Sequence, residues 1–270
     1  MSVLRSAVIG CGGAGANAVR RIDPLSSELY LMNDRRIQGY RMLFSTRDDM
    51  IAAVTSSPDV KRPLTETEKS ALRVLEHHDL VFSVSGLGGF YGTFGPVMLS
   101  SLSKRMIPMV SMPFSMEGEA RRIQAQKGLN RLLKTAPWVM ALENDGILKI
   151  APNATMGGAF AAVTRVIKES ISWMTEFFTP EDVDDVLKAL KGRVGVGIGE
   201  GKGMESAEKA VREAYASPWL RDTGRKILLM KGGKEDDLAV VESLIEKRGG
   251  EPVISSHMAG GNHIELIIIG

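Results

Sequence analysis

The sequence predicts an α/β fold: a Rossmann-like, parallel-sheet nucleotide-binding domain over residues 1–177, closed by a long central helix at about 156–177, and a smaller α+β domain over 178–270. Three observations carry this expectation. Strand and helix patterns alternate from the N-terminus to the long helix, as successive βαβ units do. Two apolar strands run straight into glycine: residues 3–9 into Gly10-Cys-Gly-Gly-Ala-Gly-Ala-Asn17, and residues 80–84 into Gly86-Leu-Gly-Gly-Phe-Tyr-Gly-Thr-Phe-Gly-Pro96. Past residue 178 no such loop recurs, so the second domain reads as a packing or assembly module.

Composition removes several classes of function. With 44% hydrophobic and 24% charged residues over 270 positions, the chain has an ordinary globular balance and enough length for a large core. Lys plus Arg number 34 against 32 Asp plus Glu, and the basic residues are scattered, so no nucleic-acid partner is expected. A single cysteine excludes an internal disulfide framework and fits a reducing compartment. The first residues lack the charged-then-apolar tandem of a signal sequence, and no apolar run reaches the ~20 residues of a membrane helix. A cytoplasmic protein without direct membrane insertion is the expectation.

In chain order, a strand at 3–9 is followed by a glycine turn and a helix through Ile22, and a second strand lies at 29–32. Residues 37–57 carry a helical pattern, 58–63 are a polar break, and Thr65-Glu-Thr-Glu68 has the form of a capping box opening a helix to Glu76. The strand at 80–84 leads to the second glycine loop, then to a helix at 97–104 with Pro96 in its first turn. A strand at 106–110 precedes a helix that carries Glu117 and Arg121 at i, i+4, which reads as a surface salt bridge or a ligand clamp. A strand at 138–142 ends at Glu143-Asn-Asp145. The long helix follows, and Pro180-Glu-Asp182 opens another. The second domain is predicted as a strand at 194–198, a helix at 204–216, a strand at 226–230, a helix at 236–248 and strands at 251–255 and 263–269.

The chemistry concentrates in the glycine loops. Glycine allows φ > 0 and lets successive N–H groups turn inward, which is how a loop cradles phosphate oxygens at a helix N-terminus. One such loop is equally consistent with a mobile surface turn; two in one chain favour the cradle. Gly10, Gly12 and Gly15 also satisfy the dinucleotide fingerprint with Asp34 about 20 residues on, which keeps an NAD-dependent oxidoreductase open. Against it, the second loop has no use in a dehydrogenase and no acid–base pair stands out. Cys11 is a small buried filler or a reactive thiol at a helix N-terminus. The adjacent His77 and His78 read as solvated or core histidines, and no zinc-ligand spacing occurs.

The first loop, the second loop, Pro113-Phe-Ser-Met-Glu-Gly118 with Arg121, Asn144-Asp145, the long helix and Ala216-Ser-Pro-Trp-Leu220 together resemble the tubulin/FtsZ superfamily, its FtsZ branch above all. The resemblance implies a protein that binds GTP or GDP, with or without Mg²⁺, and assembles head to tail with itself. A further FtsZ-like protein or a membrane adaptor would be its other partners, and cell division, shape or membrane remodelling its task. It implies that backbone groups of Gly10, Cys11, Gly12, Gly13 and Gly15 and of Gly86, Gly88, Gly89, Gly92 and Thr93 surround the phosphates. Asn17, Asn144 and Thr164 fall on the base side, and Glu117 and Arg121 on the ribose side.

The chain departs from the family in four places. Phe90 and Tyr91 replace small residues of the signature loop, so their rings either obstruct a phosphate or pack beneath the loop. Residues 54–64, where the family has a glycine-rich loop, contain no glycine. Thr164 stands where the family has a carboxylate or amide on the central helix, and a hydroxyl lacks the bidentate pattern of a carboxylate. Of the acids that activate water across the subunit contact, only Asp182 has a counterpart; it orients water or caps a helix. Weak or absent hydrolysis, or a nucleotide-free structural paralogue, is what these departures imply.

Overall fold

A computed structural model describes residues 3–22, 27–55, 63–222 and 224–270, without the side chains of Phe44 and Thr55. Seven strands form one sheet in the order β3-β2-β1-β4-β5-β6-β7, every neighbouring pair parallel. They are β1 (Ser6–Cys11), β2 (Glu28–Asn33), β3 (Arg41–Phe44), β4 (Leu80–Gly86), β5 (Met106–Met112), β6 (Trp138–Glu143) and β7 (Gly192–Val194). A parallel sheet needs helices on both faces, and alternating side chains of its strands are accordingly apolar on both. One face is covered by α2 (Arg47–Thr55), α3 (Glu66–His77), α4 (Phe90–Leu102) and α5 (Glu119–Thr135). The other carries α1 (Gly12–Val19), the long α7 (Met156–Phe177) and α8 (Val183–Ala189).

The second sheet has four strands in the order β10-β9-β11-β8: β8 (Val196–Lys202), β9 (Gly224–Gly233), β10 (Gly250–Met258) and β11 (Gly260–Ile269). Only β9 and β10 are parallel. Its inner face, with Ile227, Leu229, Ile267 and Ile269, joins the same core as Val163, Ile167, Ile171 and Met174 of α7. Its outer face, with Leu228, Met230, Leu266 and Ile268, packs on α9 (Ser206–Tyr215) and α10 (Asp237–Glu246). Helix α7 is therefore sandwiched, which is why its pattern reads as largely apolar.

Several expectations hold closely. The long helix spans Met156–Phe177 as predicted, started by Thr155, whose hydroxyl accepts from the Gly158 N–H at 3.1 Å. The capping box at Thr65 and Glu68 is formed, with bonds of 3.2 and 2.8 Å. His78 is the core histidine: it is buried, with Nδ1 2.7 Å from the Val74 carbonyl and Nε2 3.6 Å from Glu28.

Four expectations are corrected. Residues 37–55 are not one helix, and 56–57 of that predicted stretch lie outside the described residues; β3 pairs with β2, Tyr30 opposite Arg41, and only then does α2 begin. The helix after the second loop begins at Phe90 rather than 97, with Pro96 inside it, because packing of its first two turns against β1 and β4 overrides the local preference of proline. Glu117 and Arg121 do not share a helix: Ser115–Glu117 is a 3-10 turn, Gly118 at φ +98° breaks the chain, and α5 starts at Glu119. Residues 194–198 are two strands in different sheets. Gly195 makes the crossing, its N–H and carbonyl exchanging bonds of 3.0 and 3.1 Å with Gly270.

Candidate functional site

The chain reverses its winding between β1 and β4, which lie side by side with Cys11 opposite Ser85. In an open α/β sheet, ligands bind beyond the carboxyl ends of the strands at such a switch point. Here β1 passes into α1 without a loop, and Gly12 takes φ +69° to make the turn. A Cβ on Gly15 would lie 2.3 Å from the Val84 carbonyl oxygen, and one on Gly10 2.6 Å from that of Gly15. Those glycines let α1 lie directly on the strands. Gly13 faces open space.

The second loop is shorter than its glycine run. After Gly86 only Leu87, Gly88 and Gly89 lie outside regular structure, with Gly88 at φ +99°. A Cβ on Gly92 would fall 2.2 Å from the Gly86 oxygen, and one on Gly12 3.0 Å from the Gly92 nitrogen, so the starts of α1 and α4 touch. Neither Cys11 nor Gly89 makes a side-chain cap, and neither first turn contains an acid. The N–H groups of Gly12, Gly13 and Ala14, and of Phe90, Tyr91 and Gly92, have no acceptor within their helices. Two positive helix ends and two rows of orphan donors meet at one point, an arrangement whose electrostatics suit an anion.

Two of the expected donors are otherwise engaged. The Gly88 N–H donates to the Thr93 hydroxyl at 2.9 Å, and the Thr93 N–H to the Gly89 carbonyl at 3.0 Å. Thr93, buried, thus shapes the loop from beneath. Cys11 is fully buried, and burial pushes its thiol up from the ordinary value, so it is packing rather than a nucleophile. Asp34 lies just past β2, its N–H taken by the Asn33 side chain at 2.9 Å.

Of the loop's aromatics, Tyr91 sits in the core and Phe90 is half-buried against it. Tyr91 is 7% exposed, packs with Ile9, Met32 and Met50, and donates its hydroxyl to the Ser45 carbonyl at 3.1 Å. Phe90 lies edge-on to Tyr91 and Phe94, with ring centroids 5.2 and 5.0 Å away, under the Arg47 guanidinium at 5.2 Å. Tyr91 thus packs on the first sheet and Phe90 at the contact of α4 with α2, burial that accounts for the size of both rings. Of the glycine-free stretch 54–64, residues 56–62 lie outside the described residues.

The ends of β5 and β6 complete the rim. Glu117 accepts from the Phe114 N–H at 2.7 Å and pairs with Arg121 at 3.2 Å. Arg121 lies against the second glycine loop, since a Cβ on Gly88 would be 2.6 Å from its Cγ. Asp145 holds the same segment from the other side, accepting from the Ser115 N–H at 3.1 Å. Asn144 is 1% exposed and its Oδ1 has no partner among the described residues. A buried amide oxygen left unpaired costs free energy, so a ligand donor is its natural complement.

Asn17 and Thr164, 147 positions apart in the chain by their numbering, line one groove between α1 and α7 together with Arg20, Arg21, Gly157, Phe160 and Ala161. The arginines and Phe160 escape the sequence reading. Their signal was available: Arg20 and Arg21 follow Asn17 at i+3 and i+4, and Phe160 precedes Thr164 by one helical turn. Asp182 is elsewhere. It follows the far end of α7, about 20–30 Å from the groove by helix rise, and its Oδ2 accepts from both the N–H and the hydroxyl of Thr179 at 2.8 Å. It caps its own turn, at the opposite end of α7 from the groove.

No protein-family model matches the chain. Among known proteins it is 31% identical over 265 residues to cell division protein FtsZ 1 of Archaeoglobus fulgidus, covering 89% of this chain and 72% of the relative. It is 30% identical over 264 residues to cell division protein FtsZ of Methanothermobacter thermautotrophicus, covering 88% and 69%. Among solved structures, an empty FtsZ dimer of M. jannaschii superimposes with a TM-score of 0.77 at 22% identity, over 99% of this chain and 88% of that one. CetZ2 of Haloferax volcanii, solved as a GTPγS-bound protofilament, gives 0.72 at 17% identity, over 99% and 93%. The structural likenesses carry the fold; the sequence relatives carry the kinship.

Proposed function

The chain belongs to the FtsZ family of the tubulin superfamily, and from that premise we propose that it binds GTP or GDP across the ends of β1 and β4 and assembles head to tail into cytoskeletal filaments, with slow hydrolysis. The observation that carries the reading is the pair of uncapped helix starts at Gly12 and Phe90, in contact through Gly12 and Gly92, at the switch point of the sheet. Gly12, Gly13, Ala14, Phe90, Tyr91 and Gly92 would hold the phosphates through backbone N–H groups. Glu117 and Arg121 would meet the ribose, and Asn17, Asn144 and Thr164 the base. A bound Mg²⁺ would neutralise phosphate charge.

The spacing of Asp182 supports assembly-dependent chemistry. A carboxylate at the far end of α7 meets a nucleotide only when a second subunit stacks on the first. Its engagement with Thr179 supports slow turnover, because a carboxylate that caps its own turn must give up those bonds to orient water. A second reading, a structural paralogue indifferent to nucleotide, draws support from the Gly88 to Thr93 bond, which removes a donor from the cradle.

Titration of the purified chain with GTP, GDP, ATP and NAD, with a turnover assay across protein concentrations, separates the readings. Guanine nucleotides are expected to bind at least tenfold tighter than ATP or NAD, and any turnover per subunit to rise with concentration. Absence of binding by all four leaves the structural paralogue. A turnover rate independent of concentration overturns the role of Asp182.

A further inference from the structure

Resting on the nucleotide reading above, we propose that the groove between α1 and α7 reads the 6-oxo edge of a purine through Arg20 and Arg21 and leaves its 2-position unread, so that hypoxanthine and xanthine nucleotides are ligands alongside guanine ones. The groove is lined by Asn17, Arg20, Arg21, Phe160 and Thr164, and no carboxylate lines it among the described residues. Phe160 supplies a stacking face. It is 40% exposed, and its ring is held edge-on at 5.1 Å by the fully buried Phe114, so the platform is preset.

The polar groups decide which edge is read. Among the described residues the guanidinium groups of Arg20 and Arg21 have no ion pair or side-chain hydrogen bond, and they carry donors only. Purine O6 and N7 are both acceptors in guanine, hypoxanthine and xanthine, and a guanidinium fits that pair in a bidentate fork. Adenine presents a 6-amino donor there, which an arginine rejects.

At the 2-position the logic reverses. A carboxylate accepts from the guanine N1–H and 2-amino group and repels the O2 of xanthine. The buried Asn144 Oδ1, an acceptor without a partner among the described residues, suits the N1–H that all three bases share. Thr164 is a hydroxyl and Asn17 an amide; each donates or accepts by rotating or flipping. Such groups meet an amino group, a hydrogen or a carbonyl with little preference. Sites that lack a fixed acceptor discriminate weakly, whereas one built around a fixed hydrogen bond rejects the wrong partner by orders of magnitude.

Calorimetric competition of the intact protein with GDP, IDP, XDP and ADP tests this. IDP and XDP are expected within tenfold of GDP, and ADP at least tenfold weaker. Thr164→Asp, at a half-buried surface position, is expected to weaken XDP at least tenfold relative to GDP. Arg20→Ala with Arg21→Ala, both exposed, is expected to bring ADP within threefold of GDP. A native preference for GDP over IDP or XDP above a hundredfold overturns the unread 2-position, and equal binding of ADP and GDP overturns the role of the arginines. Failure of all four to bind removes the nucleotide site itself, a different result from loss of selectivity among ligands that bind.

Discussion

Phe90 and Tyr91 show how one residue's environment reverses its expected effect. In a phosphate loop an aromatic ring is bulk; in this protein Tyr91 is a core residue whose hydroxyl ties α4 to the Ser45 carbonyl. The double change Phe90→Gly, Tyr91→Thr restores the residues usual in the family and removes one buried and one half-buried ring. Deleting a buried aromatic costs about 3–5 kcal/mol, so urea unfolding of the variant is expected to shift by about 4 kcal/mol, with nucleotide affinity no higher. An unchanged midpoint with affinity raised tenfold would show that the rings obstruct after all.

Strand β8 and helix α9 illustrate an element pair set by absent side chains. Gly197, Gly199 and Gly201 occupy alternate positions on one face of β8, and a Cβ on each would meet the carbonyl oxygens of Ala214, Ala210 and Ser206 at 2.1, 1.9 and 1.8 Å. The helix thus rests on bare strand backbone, with Ala207, Ala210 and Ala214 buried at the contact. Gly199→Ala forces backbone against backbone, and overpacking of that kind costs about 3 kcal/mol. Thermal unfolding is expected to show that loss, while Gly260→Ala, which faces open space, shifts stability by less than about 0.5 kcal/mol. Equal effects at the two sites would mean that α9 moves aside freely.

At the scale of the molecule, α7 makes the two sheets one folding unit. Its buried residues Val163, Ile167, Ile171 and Met174 share a core with Phe82 and Met140 of the first sheet and Leu229 and Ile267 of the second. The Trp219 indole N–H, donated to the Glu143 carbonyl at 2.8 Å, adds a tie between the segment after α9 and the end of β6. A shared core has no cheap place to separate, so denaturant unfolding is expected to be a single transition, coincident by tryptophan fluorescence and by far-UV circular dichroism. Two resolved transitions would show that the sheets unfold independently. Residues 192–194 also pair with β6, so the first sheet takes its edge strand from beyond the central helix.

The sequence by itself determined the α/β class, the two glycine turns, the capped start of α3 and both ends of α7, because these depend on local spacing: apolar periodicity, cap residues and positions that only glycine fills. It also named residues proposed above for the phosphate and ribose sides of the candidate site. Only the tertiary structure decided the rest. β3 has four residues, too few to state a period, and exists because β2 offers an edge. The division of residues 194–198 rests on the partners that Gly195 meets, Gly270 by hydrogen bonds and Trp219 by close approach. Helix α4 begins at Phe90, against the preference of its proline, because Gly92 fits against Gly86 and Gly95 against Cys11. The groove of Asn17, Arg20, Phe160 and Thr164 joins residues far apart in the chain. Their proximity follows from two helices covering one face of a sheet, a long-range fact that no local spacing encodes.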